Sequence, residues 1–477
     1  MLAKLLRVAT VFSLLCSPVI FAARMPAGIK NPRLAGSYRF ERGGWTYVHL
    51  QGSPEQIGFQ HGYLLAPQIA DFYHVLKVEA EHSTHRDWEF YREAGRKILW
   101  PHIDTEYREE LRGIAEGVEA RGVDLDLWDI VAMNGDIELT EYYVPWLDKH
   151  TRAANASHDP KAPGNCSAFI ATGSYTKDGK IVIAHNNWSS YAEGERWVII
   201  FDIQPTKGYR ILMDGAPGII TSQDDFGINS AGIMVTETTI SQFIGWDSDG
   251  IPEFERSRKA LQYADSIDQY VAIMRKGDNG GYANDWLIGD RKTGEIAYLE
   301  LGLKNTPLWR TKNGYFVSSN FPRDPELIKE ETTGFDPKNL ASSPNARRVR
   351  WNQLMKEYRG NIDVPLAEKF LSDHKDSYLH KLQADQRSLC GHVDVAKDGV
   401  PVWGWGPYYP GGAVQGKATD SDMAAKMSFV ARAGHPCGEN FYVKPFLKAH
   451  PEYAWQASIL KNMIAGPWTL FRAGEKN

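Results

Sequence analysis

The stretch Gly164-Asn165-Cys166-Ser167-Ala168-Phe169-Ile170 marks the point where the texture of the chain changes. Before it, residues 148–165 are polar and small and are punctuated by Pro163 and Gly164, the composition of an exposed linker. After it come short β-branched and aromatic runs at 167–172, 181–184, 197–203, 233–239, 286–289, 296–301 and 315–318. Turn signals such as Lys177-Asp178-Gly179 and Arg291-Lys292-Thr293-Gly294 separate many of them. Several are continuously apolar, which suits strands covered on both faces. Residues 253–264 and 267–275, lying between these runs, read as helices.

Upstream, residues 24–165 read as mostly helical. The clearest case is 106–121, where Leu111, Ile114, Ala115 and Val118 recur at helical spacing. Gly122 ends that segment, and a second amphipathic stretch closes near Trp146. The Gly-rich run 227–232 lacks dinucleotide-loop spacing and reads as a tight turn between strands. Strands with helices on both outer faces predict an α+β chain in a layered αββα arrangement, with 24–165 and 166–477 forming one globular unit.

Residues 1–23 read as a signal peptide. Lys4 and Arg7 precede an apolar run ending at Ala22-Ala23, too short and too interrupted by Pro18 for a membrane span. The expected destination is an export compartment: periplasm, extracellular space or a lysosome-like lumen. A net charge of −5 without a basic run argues against nucleic acid as a partner. Loss of the leader removes Cys16 and leaves Cys166, Cys390 and Cys437. Cys390 and Cys437 sit in Gly-rich, loop-like surroundings and are the expected disulfide pair, which leaves Cys166 unpaired.

An internal thiol is unreactive by default, and a buried structural cysteine is the ordinary reading of Cys166. A cysteine uncovered as a new N-terminus differs. It carries a nucleophile and, in its own α-amine of pKa about 8, a general base. Cleavage between Asn165 and Cys166 by an N-to-S acyl shift and hydrolysis gives such a residue. A hairpin joining 167–172 to 181–184 brings His185 beside the thiol, although a hydrogen-bonded core histidine fits that position equally. Asn320 ends a strand, where its amide is placed to donate to an oxyanion; locally it also reads as a turn former before Pro322. Thr239 closes another strand and is otherwise a simple exposed threonine. Arg347, Arg348 and Arg350 open a helix-like segment and read locally as a solvated basic face. No Gly-x-Ser-x-Gly elbow, Walker loop or His-Glu-x-x-His zinc motif is present.

Taken in order, several blocks resemble the phospholipase B-like family of N-terminal nucleophile (Ntn) hydrolases, and more distantly the penicillin acyltransferase type. These blocks are Asn165-Cys166-Ser167-Ala168, Ala184-His185-Asn186-Asn187-Trp188, Asp224-Asp225-Phe226 with Glu237-Thr238-Thr239-Ile240, Gly281-Tyr282-Ala283-Asn284-Asp285-Trp286, and Ser318-Ser319-Asn320-Phe321-Pro322. The resemblance implies a four-layer Ntn sandwich with a helical N-terminal segment, self-cleavage after Asn165, and Cys166 as nucleophile. It implies His185 as the active-site histidine, Thr239 and Asn320 as polar groups around the oxyanion, and Arg347 as a brace. It also implies fatty-acyl release from phospholipids, with transient membrane-surface contact and no metal or organic cofactor. A fatty-acyl amide hydrolase or acyltransferase, or a catalytically weak lipid-binding member, are the alternative readings. Oligomeric state is left open.

Overall fold

The computed structural model describes residues 31–151, 166–223 and 226–476. The leader at 1–23, the 152–165 part of the linker with Asn165, and Asp224-Asp225 lie outside the described residues. The chain is a mixed α+β protein built on two large sheets.

The first elements correct the helical expectation. Residues 38–52 form a hairpin, β1 (Tyr38–Arg42) and β2 (Trp45–Gly52), around Gly43-Gly44. Both glycines have positive φ, 61° and 89°, the backbone that a two-residue hairpin turn requires. Apart from a 3₁₀ turn at Pro32–Leu34, helix begins at Pro54–Thr84, where Ser53 and Gln56 form a capping box and Pro54 occupies the first turn.

That helix packs on Thr105–Glu119 through glycines on both sides. A Cβ on Gly58 or Gly62 would lie 1.9 Å from Glu110 O or 2.1 Å from Ile114 O. On Gly113 or Gly117 it would lie 2.4 Å from Glu55 O or Phe59 O. The two backbones therefore touch directly. The amphipathic stretch continues as Leu127–Asn134, a π-helical turn at Glu138–Tyr143, and Val144–Thr151.

From Cys166 the chain is strand-rich. β3 (Cys166–Thr172), β4 (Val182–Ser190), β5 (Ile199–Pro205), β6 (Ile211–Gly215), β7 (Gly227–Asn229) and β8 (Ile233–Thr239) come first. The Gly-rich run thus opens as a short strand, β7, and only 230–232 turns. Helices Glu253–Tyr263 and Ile267–Arg275 follow, then β9 (Asn284–Asp290), β10 (Glu295–Leu301), β11 (Leu308–Thr311) and β12 (Gly314–Ser318). Beyond helices Ser343–Glu357 and Val364–Leu371 lie a two-strand pair, β13 (Lys375–Asp376) with β14 (Lys381–Leu382), and then β15 (Gly411–Asp420), β16 (Ser428–Ala433) and β17 (Thr469–Arg472).

The nine-stranded sheet runs β1-β2-β5-β6-β7-β8-β9-β10-β11, and the six-stranded sheet β12-β3-β4-β15-β16-β17. β2 pairs with β5 in parallel, so the 31–151 segment supplies two strands to a sheet otherwise made after Cys166. Tyr47, Ile200, Leu212 and Met234 of the larger sheet share one apolar cluster with Ala168, Ile170, Ile183 and Phe429 of the smaller. The sheets therefore face one another. Helical Leu65, Ile69, Ile114 and Tyr270 pack on the other face of the larger sheet, and Trp351, Leu354 and Phe370 on the other face of the smaller. Alternation along β3 sends Ala168 and Ile170 between the sheets and Phe169 and Ala171 toward the outer helices.

Among the described residues, no helix is long and apolar enough to cross a membrane. The expected Cys390–Cys437 disulfide is not formed: both thiols are free, and each lies against Nε2 of His392, at 3.6 and 3.5 Å. Burying an imidazole between the two loops leaves both sulfurs contacting the ring.

Candidate active site

Cys166 is the first residue of β3 and is almost wholly buried, with 1% of its surface exposed. The ladder with β4 sets Cys166 opposite Asn187, Ser167 opposite Asn186 and Ala168 opposite His185. The second strand of the expected hairpin runs on to Ser190, and this extension carries His185 and Asn187 alongside the cysteine. With side chains alternating, Cys166, His185 and Asn187 share the face turned toward the larger sheet. A ring nitrogen of His185, the Cys166 sulfur and a Glu237 carboxylate oxygen all lie within 4.8 Å of one another. The sulfur is 3.9 Å from Glu237 Oε1 and 4.0 Å from Asn187 Oδ1, and Tyr282 OH donates to the same Glu237 oxygen at 3.2 Å.

β12 flanks β3 on its other side, with Ser318 opposite Ala168, and the chain then turns through Asn320. Asn320 has φ +68°, a left-handed backbone that asparagine tolerates better than most residues. Every polar group of this buried residue is used. Its N–H donates to Thr238 Oγ1 (3.3 Å), and its carbonyl accepts from Ser241 N (3.3 Å). Nδ2 donates to Thr239 O (2.9 Å). Oδ1 accepts from the backbone nitrogen of Cys166 (3.2 Å) and from Arg347 Nη2 (2.9 Å). Asn320 therefore turns the chain and meets the cysteine through its amide oxygen, while the amide nitrogen expected to donate to an oxyanion is taken by Thr239 O.

Arg347 lies in the first turns of helix Ser343–Glu357, and Ser319 Oγ ties that helix start to the strand end by donating to Pro344 O (3.0 Å). Far from forming a solvated face, Arg347 is wholly buried. Its Nη1 donates to Cys166 O (2.6 Å) and its Nε to Ser343 Oγ (3.0 Å), and the guanidinium sits 4.2 Å over the Trp188 ring. Burial draws its pKa down to about 9 while the charge of Cys166 pulls the other way, so it is a cation at neutral pH. Of the neighbouring arginines, Arg350 is also buried and pairs with Asp373 (2.6 Å), while the half-buried Arg348 donates to Pro337 O (2.8 Å).

Thr239 is fully buried rather than exposed. Its Oγ1, both amide atoms of Asn284 opposite it in the ladder, and Asn187 Nδ2 are buried without a hydrogen-bond partner among the described residues. Buried polar atoms are normally paired, so this set of unpaired donors and acceptors beside the cysteine is a departure from the usual pattern. On the ladder beside His185 stands Lys417, fully buried and paired with the equally buried Asp214 at 2.8 Å. Cys166, His185 and Glu237 together offer sulfur, imidazole and carboxylate donors, a set able to hold a soft divalent ion.

The structure thus gathers Cys166, His185, Asn320, Arg347 and the Thr239 carbonyl around one point. It adds Asn187, Trp188, Glu237 and Tyr282, which sequence reasoning left without roles. Asn187 was legible, since it is two residues beyond His185 on a strand and must share its face. Glu237 arrives from the other sheet and Tyr282 from the turn that leads into its strand β9, and no local pattern announces that.

Residues 76–298 match the family model described as Phospholipase B. A phospholipase B of Crotalus adamanteus is 26% identical over 302 residues, covering 57% of this chain and 52% of that protein. Human phospholipase B-like 1 is 27% identical over 264 residues, 49% of this chain and 47% of its own. An uncharacterized protein of Archaeoglobus fulgidus is 26% identical over 281 residues, 55% and 44%. The chain spans about half the length of these curated relatives. On these matches, the chain is similar to the phospholipase B family over about half of its length.

Proposed function

We propose that this chain is a four-layer αββα Ntn hydrolase that cuts itself between Asn165 and Cys166 and then releases fatty acids from phospholipids through a Cys166 thioester. The observation that carries the reading is the hold on Cys166 itself. Asn320 Oδ1 receives its nitrogen and Arg347 receives its carbonyl, both inside the fold. An ordinary structural cysteine needs neither contact.

In the cleaved protein that nitrogen is a primary amine. It takes the thiol proton, and the thiolate attacks the acyl carbonyl. Asn187 Nδ2, buried and unpartnered among the described residues, is the donor for the resulting oxyanion. The C–O bond breaks as the ammonium returns its proton to the leaving alcohol. Water then attacks the thioester, gives a proton to the amine and frees the carboxylic acid and thiol. The phospholipase B names of the relatives support an ester substrate. So does a cavity of about 290 Å³, where Tyr142, Trp146, Phe243, Trp246 and Leu303 give an apolar side suited to an acyl chain and Glu141, Lys149, Lys304, Glu330 and Glu331 give a charged one. Export by a leader at 1–23 belongs to the same proposal.

Denaturing electrophoresis with N-terminal sequencing tests it. Wild type is expected as two fragments, the larger beginning at Cys166, with fatty acid released from phosphatidylcholine vesicles. Cys166→Ala is expected whole and inactive. Wild-type activity from an uncut chain would overturn the mechanism, and turnover of acyl amides without esters would overturn the substrate. Activity is expected to fall below about pH 7 as the amine protonates.

A further inference from the structure

A second cluster of reactive side chains lies away from the nucleophile, on three loops distant in sequence. His374, Cys390, His392 and Cys437 bring one donor atom each to within 4.8 Å of one another. We propose that these four residues bind one zinc ion as a structural Cys₂His₂ site. The proposal does not depend on the hydrolase reading.

The distances carry it. A tetrahedral zinc with bonds of about 2.3 Å to sulfur and about 2.0 Å to nitrogen has S···N edges of about 3.5 Å. His392 Nε2 stands 3.6 Å from Cys390 Sγ and 3.5 Å from Cys437 Sγ. Those separations match the edges of a metal tetrahedron. His374 supplies the fourth corner: its ring lies edge-on to His392 at 5.0 Å, and its Nε2 is buried without a hydrogen-bond partner among the described residues.

The surroundings match a thiolate site. Cys437 Sγ lies within 4.8 Å of the Cys390 sulfur and of a ring nitrogen of each imidazole. The Glu439 N–H points at the same sulfur at 3.5 Å, an outer contact that stabilises a coordinated thiolate. Binding displaces one proton from each thiol, so zinc, two thiolates and two neutral imidazoles leave the buried site without net charge. Two sulfurs and two imidazoles exclude calcium and magnesium, which take oxygen ligands. The sequence alone leads to the expectation of no metal and of a Cys390–Cys437 disulfide; a structural zinc ion departs from both.

Position suggests what the ion holds. Cys390 shares an apolar cluster with Trp188 and Trp403, and Leu389 O accepts from Asn186 Nδ2 and Trp188 Nε1. A Cβ on Gly391 would lie 2.0 Å from the Trp188 ring. The loop carrying two of the ligands therefore presses on the tryptophan beneath Arg347.

Full-length protein made in zinc-supplemented medium and dialysed is expected to retain one zinc per chain by mass spectrometry. Cys437→Ser is expected to lower that content at least tenfold, and Cys166→Ala to leave it unchanged. Should the serine variant fail to fold, wild type titrated with zinc alone under reductant decides the matter. Cys390 and Cys437 are expected to become protected from alkylation, and cobalt in place of zinc to give thiolate-to-metal absorption. Wild type holding less than about a tenth of an equivalent after reconstitution would overturn the proposal. So would a Cys390–Cys437 disulfide in the isolated protein, or zinc lost with Cys166→Ala and kept with Cys437→Ser.

Discussion

Replacing Arg347 by lysine asks whether one buried cation fixes the end of the nucleophile's strand. The guanidinium donates to Cys166 O, Asn320 Oδ1 and Ser343 Oγ and lies over Trp188. A lysine ammonium keeps the charge but lacks the planar fork, and its compact head can satisfy only part of this set. If two of the three bonds are lost, at roughly 1.5–3 kcal/mol for each bond to a charged group, the gross loss is about 3–6 kcal/mol. The stronger hydration of an ammonium works in the same direction, and relaxation works against it. The expected destabilisation is therefore about 3–5 kcal/mol, the range for breaking a buried ionic contact. Urea unfolding followed by tryptophan fluorescence measures it, in a Cys166→Ala background so that the chain stays in one piece. A loss below about 1 kcal/mol, the worth of a surface pair, would refute the bracing role.

Asn187→Ala is expected to reduce turnover of a phospholipid ester by about 10²–10³-fold with little change in KM, the signature of a lost oxyanion donor. An unchanged kcat would remove Asn187 from the mechanism. Gly117→Ala drives a methyl to 2.4 Å from Phe59 O, where only backbone can yield, and is expected to cost at least about 1–3 kcal/mol. Gly122→Ala, with nothing within 4 Å but φ +75°, is expected to cost only about 1 kcal/mol; equal urea midpoints would contradict the helix contact. Burial, aided by the Arg258 charge, lowers His61 from 6.5 to about 3, and its Nε2 accepts from Gly218 N. Its folded pKa lies below its unfolded one, so the unfolded chain binds the extra proton between these values. Stability is thus fully present above pH 6.5 and lost as pH falls toward 3, by up to about 5 kcal/mol at roughly 1.4 kcal/mol per unit. His61→Gln should flatten that part of the stability–pH curve, and an unchanged slope would count against it.

How much was readable in advance followed the reach of each interaction. The strand 233–239 and the helix 267–275 stand where periodicity and turn residues put them, because neighbours in sequence decide them. His185 beside Cys166 was legible for the same reason, as the far arm of one hairpin. The 38–52 hairpin was missed although Gly43-Gly44 between alternating residues is a strong turn signal; the helical segments after it coloured the whole region. Arg347 looked like part of a solvated cluster because its acceptors, Cys166 O and Asn320 Oδ1, lie 181 and 27 residues away. The Cys390–Cys437 pairing rests on counting thiols, and counting is blind to the imidazoles of His374 and His392 that the fold brings beside them.

The parallel pairing of β2 with β5 has a thermodynamic corollary for any chain cut within 152–165. Its two pieces would remain laced through a common hydrogen-bond ladder, Thr46–Gly52 on one and Ile199–Pro205 on the other. Melting would then also be dissociation, so the midpoint would climb with protein concentration, as it never does for an intact monomer. Either piece made alone would present a bare ladder edge, inviting self-association in place of its missing half.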